Sequence, residues 1–407
     1  MAHQTKNPFK GIGRNVVALG VVSFLTDVSG EMIYPLLPLF LTQYLGASAA
    51  FLGLLEGAAE SVSAFLKLLS GIISDRVKDR TRWILGGYTL SSISRPLMGL
   101  AQGPWAVFFI RLSDRVGKGI RTSPRDALIA DTTDPALRGK AYGFHRAMDH
   151  AGAVVGPLLA TMILLFFLKD LRKLFLLAAI PAALSVLVIV FYVKEAARRE
   201  PVSKPFSWNT FLTLPRGKLR IYLVILFLFL LSNASDAFIL LRLTDIGIAP
   251  VLVPLLWTAL HIVKTLTTMP FGMLSDRLGR RKVILAGWVL YAVIYAGFGF
   301  ARAPSFVCLL FMIYGCFYGL TEGTEDALMA DLAPSGERGR AFGWYNFVLG
   351  AALLPANLLF GYLWKTRGAP SAFFTASGIA GVAALFLFIF IRRMPSLPAS
   401  RSTAETS

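Results

Sequence analysis

Gly272–Arg281 reads GMLSDRLGRR, and Gly71–Arg80 reads GIISDRVKDR. Both follow a long apolar run, both set an Asp-Arg pair beside a basic turn, and their starts are 201 residues apart. The echo continues downstream. DALIAD at Asp126–Asp131 returns as DALMAD at Asp326–Asp331, and RGKAYG at Arg138 returns as RGRAFG at Arg338, each at an offset of 200. Several matches at nearly one offset, all at equivalent ends of apolar segments, mark an internal duplication.

The duplicated unit is one that lives in a membrane. The 407 residues are 55% hydrophobic and only 16% charged, with 31 Phe, which is far more apolar than a soluble domain. Apolar runs recur along the chain, each near the roughly 20 residues that a helix needs to cross about 30 Å of hydrocarbon. They predict helices over Val16–Tyr44, Ala50–Ser74, Trp83–Gln102, Trp105–Asp131, Ala141–Leu168 and Leu174–Val193. Six more follow over Ile221–Leu243, Ala249–Leu274, Val283–Ala301, Ser305–Asp331, Ala341–Trp364 and Phe373–Ile391. The expected fold is an all-α polytopic membrane protein: a six-helix bundle over 1–193, a polar cytoplasmic linker containing EAARREPVSKP over 194–220, and a second six-helix bundle with a short tail over 221–407.

The net charge of +18 follows the same plan. Lys and Arg concentrate in the segments on the side of the two termini, so the positive-inside rule places both termini in the cytoplasm and the protein in the cytoplasmic membrane. A nucleic-acid binder has no soluble region in which to sit. The opening MAHQTKNPFKGIGR is too polar, and the span after it too long, for a cleaved signal peptide, so the first helix is expected to stay as an anchor. Cys308 and Cys316 both lie in one apolar run, which argues against a disulfide framework or a cysteine-rich metal site. GKGIRTS at Gly117–Ser123 lacks the spacing of a phosphate loop and no strand precedes it. No enzyme motif is present, and neither enzymatic activity nor a cofactor is expected.

The loop after the second helix of each half fits the pattern G-x-x-x-D-R-x-G-R-[RK]. It is complete as Gly272, Asp276, Arg277, Gly279, Arg280 and Arg281, and partial as Gly71, Asp75, Arg76 and Arg80, where Lys78 and Asp79 replace the Gly and Arg of the pattern. On these residues the chain resembles the major facilitator superfamily over nearly its whole length, in particular its bacterial proton-coupled efflux members. Arg115 with Gly119 is similar to that family's R-x-x-x-G pattern on the fourth helix, with Lys118 where glutamine is common. GAVVGP at Gly152–Pro157 matches the start of the antiporter motif G-x-x-x-G-P, with Ala160 and Thr161 where paired glycines usually complete it. The resemblance implies alternating access between two bundles and tilts direction toward export. A short loop carrying both signs can also hold helices through ion pairs that break on opening, which nominates Gly71, Asp75, Arg76, Gly272, Asp276, Arg277 and Arg281 for gating, with Asp131 and Asp331 as partners of the loop arginines. Setting topology alone is the plainer reading of the same residues.

Ionisable groups deep in a span are costly unless they face a cavity and pair, so they point to function. Asp27 and Glu31 share one face of the first helix at i, i+4. The second helix adds Glu56 and Glu60, the third Arg95, the fourth Arg115, Lys118 and Arg121, and the fifth His145, Asp149 and His150. The second half offers Asp236, His261 and Lys264. Asp27, Glu31, Glu60 and Asp149 are the candidates for proton coupling, because a carboxyl in a poorly hydrated cavity with a nearby base can load and release a proton. The remaining groups are assigned to the substrate cavity. A purely structural pairing of Asp27 and Glu31 with Arg95 or a base of the fourth helix stays open, as does ordinary close packing for GAVVGP. The expected activity is proton-coupled export of a small amphipathic or drug-like solute by a monomer, with the solute, protons and the lipid bilayer as partners. Uptake or exchange of an organic anion clamped by Arg95, Arg115, Lys118 and Arg121 is the alternative, and a membrane sensor that binds without transporting is the rival from another class.

Overall fold

The computed structural model describes residues 13–74, 79–134, 137–195, 215–333 and 338–393. Asp75 and Arg76 of the first loop copy, and residues 196–214 of the linker, lie outside them. The described residues form twelve rods: α1 Arg14–Tyr44, α2 Ala49–Ser74, α3 Arg80–Leu97, α4 Pro104–Asp131, α5 Arg138–Phe166, α6 Leu171–Tyr192, α7 in two pieces Gly217–Leu230 and Ala237–Asp245, α8 Val253–Leu278, α9 Arg280–Phe300, α10 Pro304–Leu332, α11 Arg338–Arg367 and α12 Ala369–Arg392. Among them, nine are long and apolar enough to cross a membrane on composition alone. The other three have visible reasons for falling short: α3 and α4 carry the buried charges of the site, and α7 is interrupted.

The two interruptions are local chemistry. In α1 the α-helix ends at Glu31, and Pro35 and Pro38 remove two backbone donors, so the chain continues through a 3₁₀ turn at Tyr34–Leu36 to a π turn at Phe40–Tyr44. In α7 the polar run Ser232–Asp236 competes with the backbone ladder. The Ser232 hydroxyl donates to the Phe229 carbonyl at 2.5 Å, and the freed N–H of Ser235 donates to Asn357 Oδ1 of α11 at 2.9 Å. A continuous seventh helix was the expectation from hydropathy, and this polar run is why it breaks.

Helices α1 to α6 pack mainly as α3 on α4, α2 on α4, and α1 on α5 and α6, while α8 on α10, α9 on α10 and α9 on α12 repeat the plan in the second bundle. The bundles meet along α2–α11 and α5–α8. Large apolar side chains such as Phe166, Phe191, Met269 and Phe300 project outward, as a surface solvated by lipid tails requires.

The duplication is legible in the contacts. At the ends of the rods on the side of the termini, Arg80 pairs with Asp131, and Arg280 pairs with Asp331 at 2.7 Å. At the seam between the bundles, Tyr34 Oη lies 3.3 Å from Ser235 Oγ, so two equivalent positions, 201 residues apart, meet each other. Hydrogen bonds that join the bundles among the described residues are Tyr34–Ser235, Ser235–Glu56, Trp257–Glu31, Thr258–Val154 and Ser61–Gly350. Ser61 and Val154 lie near the middle of α2 and α5, and the others lie from mid-span toward the end remote from the termini, so these hydrogen bonds gather on the far half of the seam.

Candidate functional site: a charged cavity in the first bundle

Close packing of α1 on α5 sets the site. A Cβ built on Gly152 would come 2.6 Å from the Phe24 carbonyl and 2.9 Å from Asp27 Cβ, and one on Gly156 would come 2.7 Å from the Val28 carbonyl and 2.9 Å from Glu31 Cβ. The two glycines of GAVVGP are thus in register with the two acids of α1, one turn apart on each helix. Removing two side chains from α5 lets α1 approach, and the acids are held at the surface of the contact rather than inside it.

From there the two acids diverge. Glu31 accepts a 2.7 Å hydrogen bond from Trp257 Nε1, which belongs to α8 of the other bundle. Asp27 makes no hydrogen bond or ion pair among the described residues and lines a cavity of about 320 Å³ between α1, α2, α4 and α5. Asp149 of α5 lines the same cavity, accepts from the Ser23 hydroxyl, and lies 3.6 Å from His145 Nδ1. Lys67 and Lys118 face the cavity from α2 and α4, each without an ion pair or hydrogen bond to its ammonium among the described residues. Arg121 and Arg125 complete that wall: Arg121 donates to Ser91 Oγ at 2.6 Å and sits 4.2 Å over the Tyr88 ring, and Arg125 pairs with Asp126 at 2.8 Å.

Outward from the cavity runs a buried network of ions. Arg95 pairs with Asp114 at 3.0 Å and donates to the Thr26 carbonyl; Arg111 pairs with Glu56 at 3.2 Å and lies 3.8 Å from Asp114; Arg115 pairs with Glu60 at 2.9 Å. The Arg111 guanidinium stands 5.1 Å over the Tyr34 ring, beside the far-side seam. Taking two charges out of water costs several kcal/mol per ion, and only close, hydrogen-bonded partners offset it. These arginines all have such partners, so they set the shape of the first bundle. Lys67, Lys118, Arg146 and Asp27, which line the cavity, have no hydrogen bond or ion pair of this kind among the described residues.

The structure therefore divides the sequence-nominated residues. Asp27, Lys118, Arg121, His145 and Asp149 come together around the cavity, whereas Glu56, Glu60, Arg95 and Arg115 are engaged in the network behind it. Arg95, one suggested partner of Asp27 and Glu31, is taken by Asp114 instead. His150 lies on α5 outside the lining. In the second bundle, Asp236 accepts from Tyr314 at 2.8 Å and Tyr318 at 2.7 Å, Lys264 pairs with Glu322 at 2.8 Å beneath the Tyr318 ring, and His261 packs against Trp257 with ring centroids 4.9 Å apart. None of these three contributes to the lining.

The nominated gating residues are placed unequally. Gly71 lies against Ser123 of α4. Asp276 is 3.8 Å from Arg280, Arg277 is exposed, and Arg281 is buried. Gly279 sits at a φ of +94° in the α8–α9 turn, a conformation that explains a glycine there, while Gly272 meets no neighbour.

Sequence reasoning missed Arg111, Asp114, Tyr34 and Trp257. The first two carried a signal, since Arg111, Asp114 and Arg115 are spaced to share one face of α4. Trp257 stands at the repeat position of Glu56, so its place at the seam was encoded only as an aromatic residue where the other half has an acid.

Comparison with known proteins agrees with this architecture. The Major Facilitator Superfamily profile matches residues 19–244 and again 221–406. The chain is 35% identical over 388 residues to the MFS-type transporter MJ1317 of Methanocaldococcus jannaschii, spanning 93% of this chain and 95% of that one. It is 26% identical over 414 residues to the multidrug resistance protein MdtH of Aeromonas hydrophila, spanning 95% and 97% respectively. Its fold superposes on the nucleoside transporter NupG with a TM-score of 0.72 at 16% identity, over 93% of this chain and 98% of that one. On a POT family transporter the TM-score is 0.78 at 14% identity, over 96% and 100%.

Proposed function

The chain belongs to the major facilitator superfamily as a multi-pass membrane transporter, and from that premise we propose that it exports a small solute in exchange for protons, by alternating access of its two bundles. The observation that carries this reading is the pair Asp27 and Glu31. One acid faces the cavity unpartnered, and the other, a single turn away, is hydrogen-bonded across the seam to Trp257. A bond from an N–H to a carboxylate is roughly twice as strong as one between neutral groups. A proton arriving at Glu31 weakens the far-side seam, and a proton leaving it restores the seam. Asp27 sits where solute and proton can reach it together, which links cavity occupancy to the same helix.

Orientation and direction rest on different support. The excess of Lys and Arg on the side of the termini favours cytoplasmic termini in a cytoplasmic membrane. In that orientation the hydrogen bonds on the far half of the seam leave the cavity on the cytoplasmic side, the state in which an exporter loads. The match of GAVVGP to the antiporter motif and the similarity to a relative named as a multidrug resistance protein favour export. Both bundles are present in one chain, which supports a monomer as the working unit. For the loop residues we propose that Arg80–Asp131 and Arg280–Asp331 brace each bundle on the terminal side during closure.

A second reading, uptake or exchange of an organic anion, is favoured by the free ammonium groups of Lys67 and Lys118. The test is reconstitution: purified protein in liposomes under an imposed pH gradient, with solute and proton flux recorded together. Opposed movement of proton and solute supports export by exchange, parallel movement supports the second reading, and binding with no flux would leave a sensor.

A further inference from the structure

An amphipathic drug needs apolar wall, and this cavity has little. Its lining is made of Ser, Thr, Asp, Lys, Arg, His and Tyr side chains. Its volume of about 320 Å³ lies at the small end of the roughly 300–1,000 Å³ typical of ligand pockets. Charge is unevenly distributed across it. Asp27 and Asp149 stand with Arg146 on the wall formed by α1 and α5, while Lys67, Lys118 and Arg121 stand on the wall formed by α2 and α4, where the one acid, Asp126, is paired with Arg125. Asp27 and the two lysines lie in one cavity yet form no ion pair with each other.

Lys67 and Lys118 thus leave two ammonium groups, and Asp27 one carboxylate, without a hydrogen bond or ion pair inside a single cavity. A site with unpaired ammonium groups on one wall and an unpaired carboxylate on the other suits a ligand that brings the complementary pair of charges.

We propose that this cavity binds a small zwitterionic solute of the amino-carboxylate class, its anionic group between Lys118 and Lys67 and its ammonium at Asp27. The proposal rests on the transporter reading above and names its cargo. A solute with only an anionic group leaves the Asp27 carboxylate unmatched, and one with only a cation leaves two ammonium groups unmatched. The zwitterion satisfies both walls, because each of its charges is paired on entering the cavity.

The test uses the full-length protein purified in detergent. Glycine, γ-aminobutyrate and ε-aminocaproate are titrated beside the carboxylate and the amine of the same carbon number, with binding read by calorimetry and by thermal shift. At least one amino acid is expected to bind about tenfold or more tightly than both of its singly charged analogues. Lys118→Met and Asp27→Asn are each expected to erase that advantage, and Lys118→Arg to retain it. Neither side-chain charge has a hydrogen bond or ion pair among the described residues, and the melting temperature without ligand checks that each variant folds. Equal affinity for the bare carboxylates overturns the zwitterion, as does absence of binding throughout the series, and unchanged affinity in both charge-removing variants places the ligand elsewhere. If the series fails to bind while a pH gradient still drives flux of another solute through the same protein, the cargo assignment falls and the transporter reading stands.

Discussion

On α4, positions 114, 118, 121 and 125 hold Asp, Lys, Arg and Arg; on α10, 200 residues later, they hold Tyr314, Tyr318, Thr321 and Glu325. The backbone plan repeats, down to the Arg80–Asp131 and Arg280–Asp331 pairs at the helix ends, while the chemistry changes from ions to hydroxyls and rings. Tyr314 and Tyr318 hold Asp236, Trp288 Nε1 holds Glu325 at 3.1 Å, and Trp288 itself stacks on Phe229 with centroids 4.2 Å apart. The difference teaches that the two bundles share a backbone plan without sharing a chemistry. One bundle carries the charged cavity, while the other packs buried rings and hydroxyls around its acids.

If that contrast is right, the largest stability effects should follow the ions. Arg95→Met leaves Asp114 without its closest partner and should cost about 3–5 kcal/mol. Tyr314→Phe, the matched deletion in the second bundle, removes one of two hydroxyls from Asp236 and should cost about 1–2 kcal/mol. Unfolding in mixed micelles compares them directly, and equal costs would erase the distinction between an ionic and an aromatic bundle.

A smaller asymmetry is expected where α5 and α11 meet their neighbours. Ala352 and Ala356 occupy the repeat positions of Gly152 and Gly156 and are fully buried. Gly156→Ala forces a methyl to within 2.7 Å of the Val28 carbonyl and should destabilise by about 1–3 kcal/mol. It should also shift α1, and with it Glu31, away from Trp257, slowing transport. Ala356→Gly should cost only about 0.5–1 kcal/mol, the usual penalty for glycine in a helix. Thermal melts paired with transport rates separate the two, since only the change in the first bundle is expected to slow transport beyond its effect on folding.

The smallest stability effects belong to the surface pairs. Arg80→Ala and Arg280→Ala should each change stability by about 0–1 kcal/mol, because partly exposed pairs are screened. Their signature is instead in conformational balance: accessibility to thiol reagents of a cysteine placed on the terminal side of the cavity should rise in both variants. A rise in only one would show that even the repeated loop has diverged in role.

How far this contrast could be read from sequence follows the same division. The twelve helices were legible because hydropathy and the repeat offset are one-dimensional signals. The Asp131 and Asp331 partnerships with the loop arginines were legible for the same reason, since one pairing at a fixed offset implies the other. The breaks were not: Ser232–Asp236 hides inside an apolar run, and Pro35 and Pro38 could equally have been a kink. The identity of ion partners was hidden more deeply. Asp27, Arg95 and Asp114 lie on three different helices, and which faces which depends on helix rotation that no single-sequence period records. Glycine spacing offered a partial route, because GAVVGP and the Asp27–Glu31 pair share a period of four and prove to be in register.

The central claim is that Asp27 and Glu31, acids four apart on α1, couple proton movement to the rocking of unlike bundles. It is tested most directly in proteoliposomes, by recording proton and solute flux under an imposed pH gradient for wild type, Asp27→Asn and Glu31→Gln, with Asp236→Asn as the second-bundle control. The account predicts gradient-driven flux abolished in the first two variants and retained in the third. Wild-type coupling in both α1 variants, or loss only when Asp236 is changed, would contradict it.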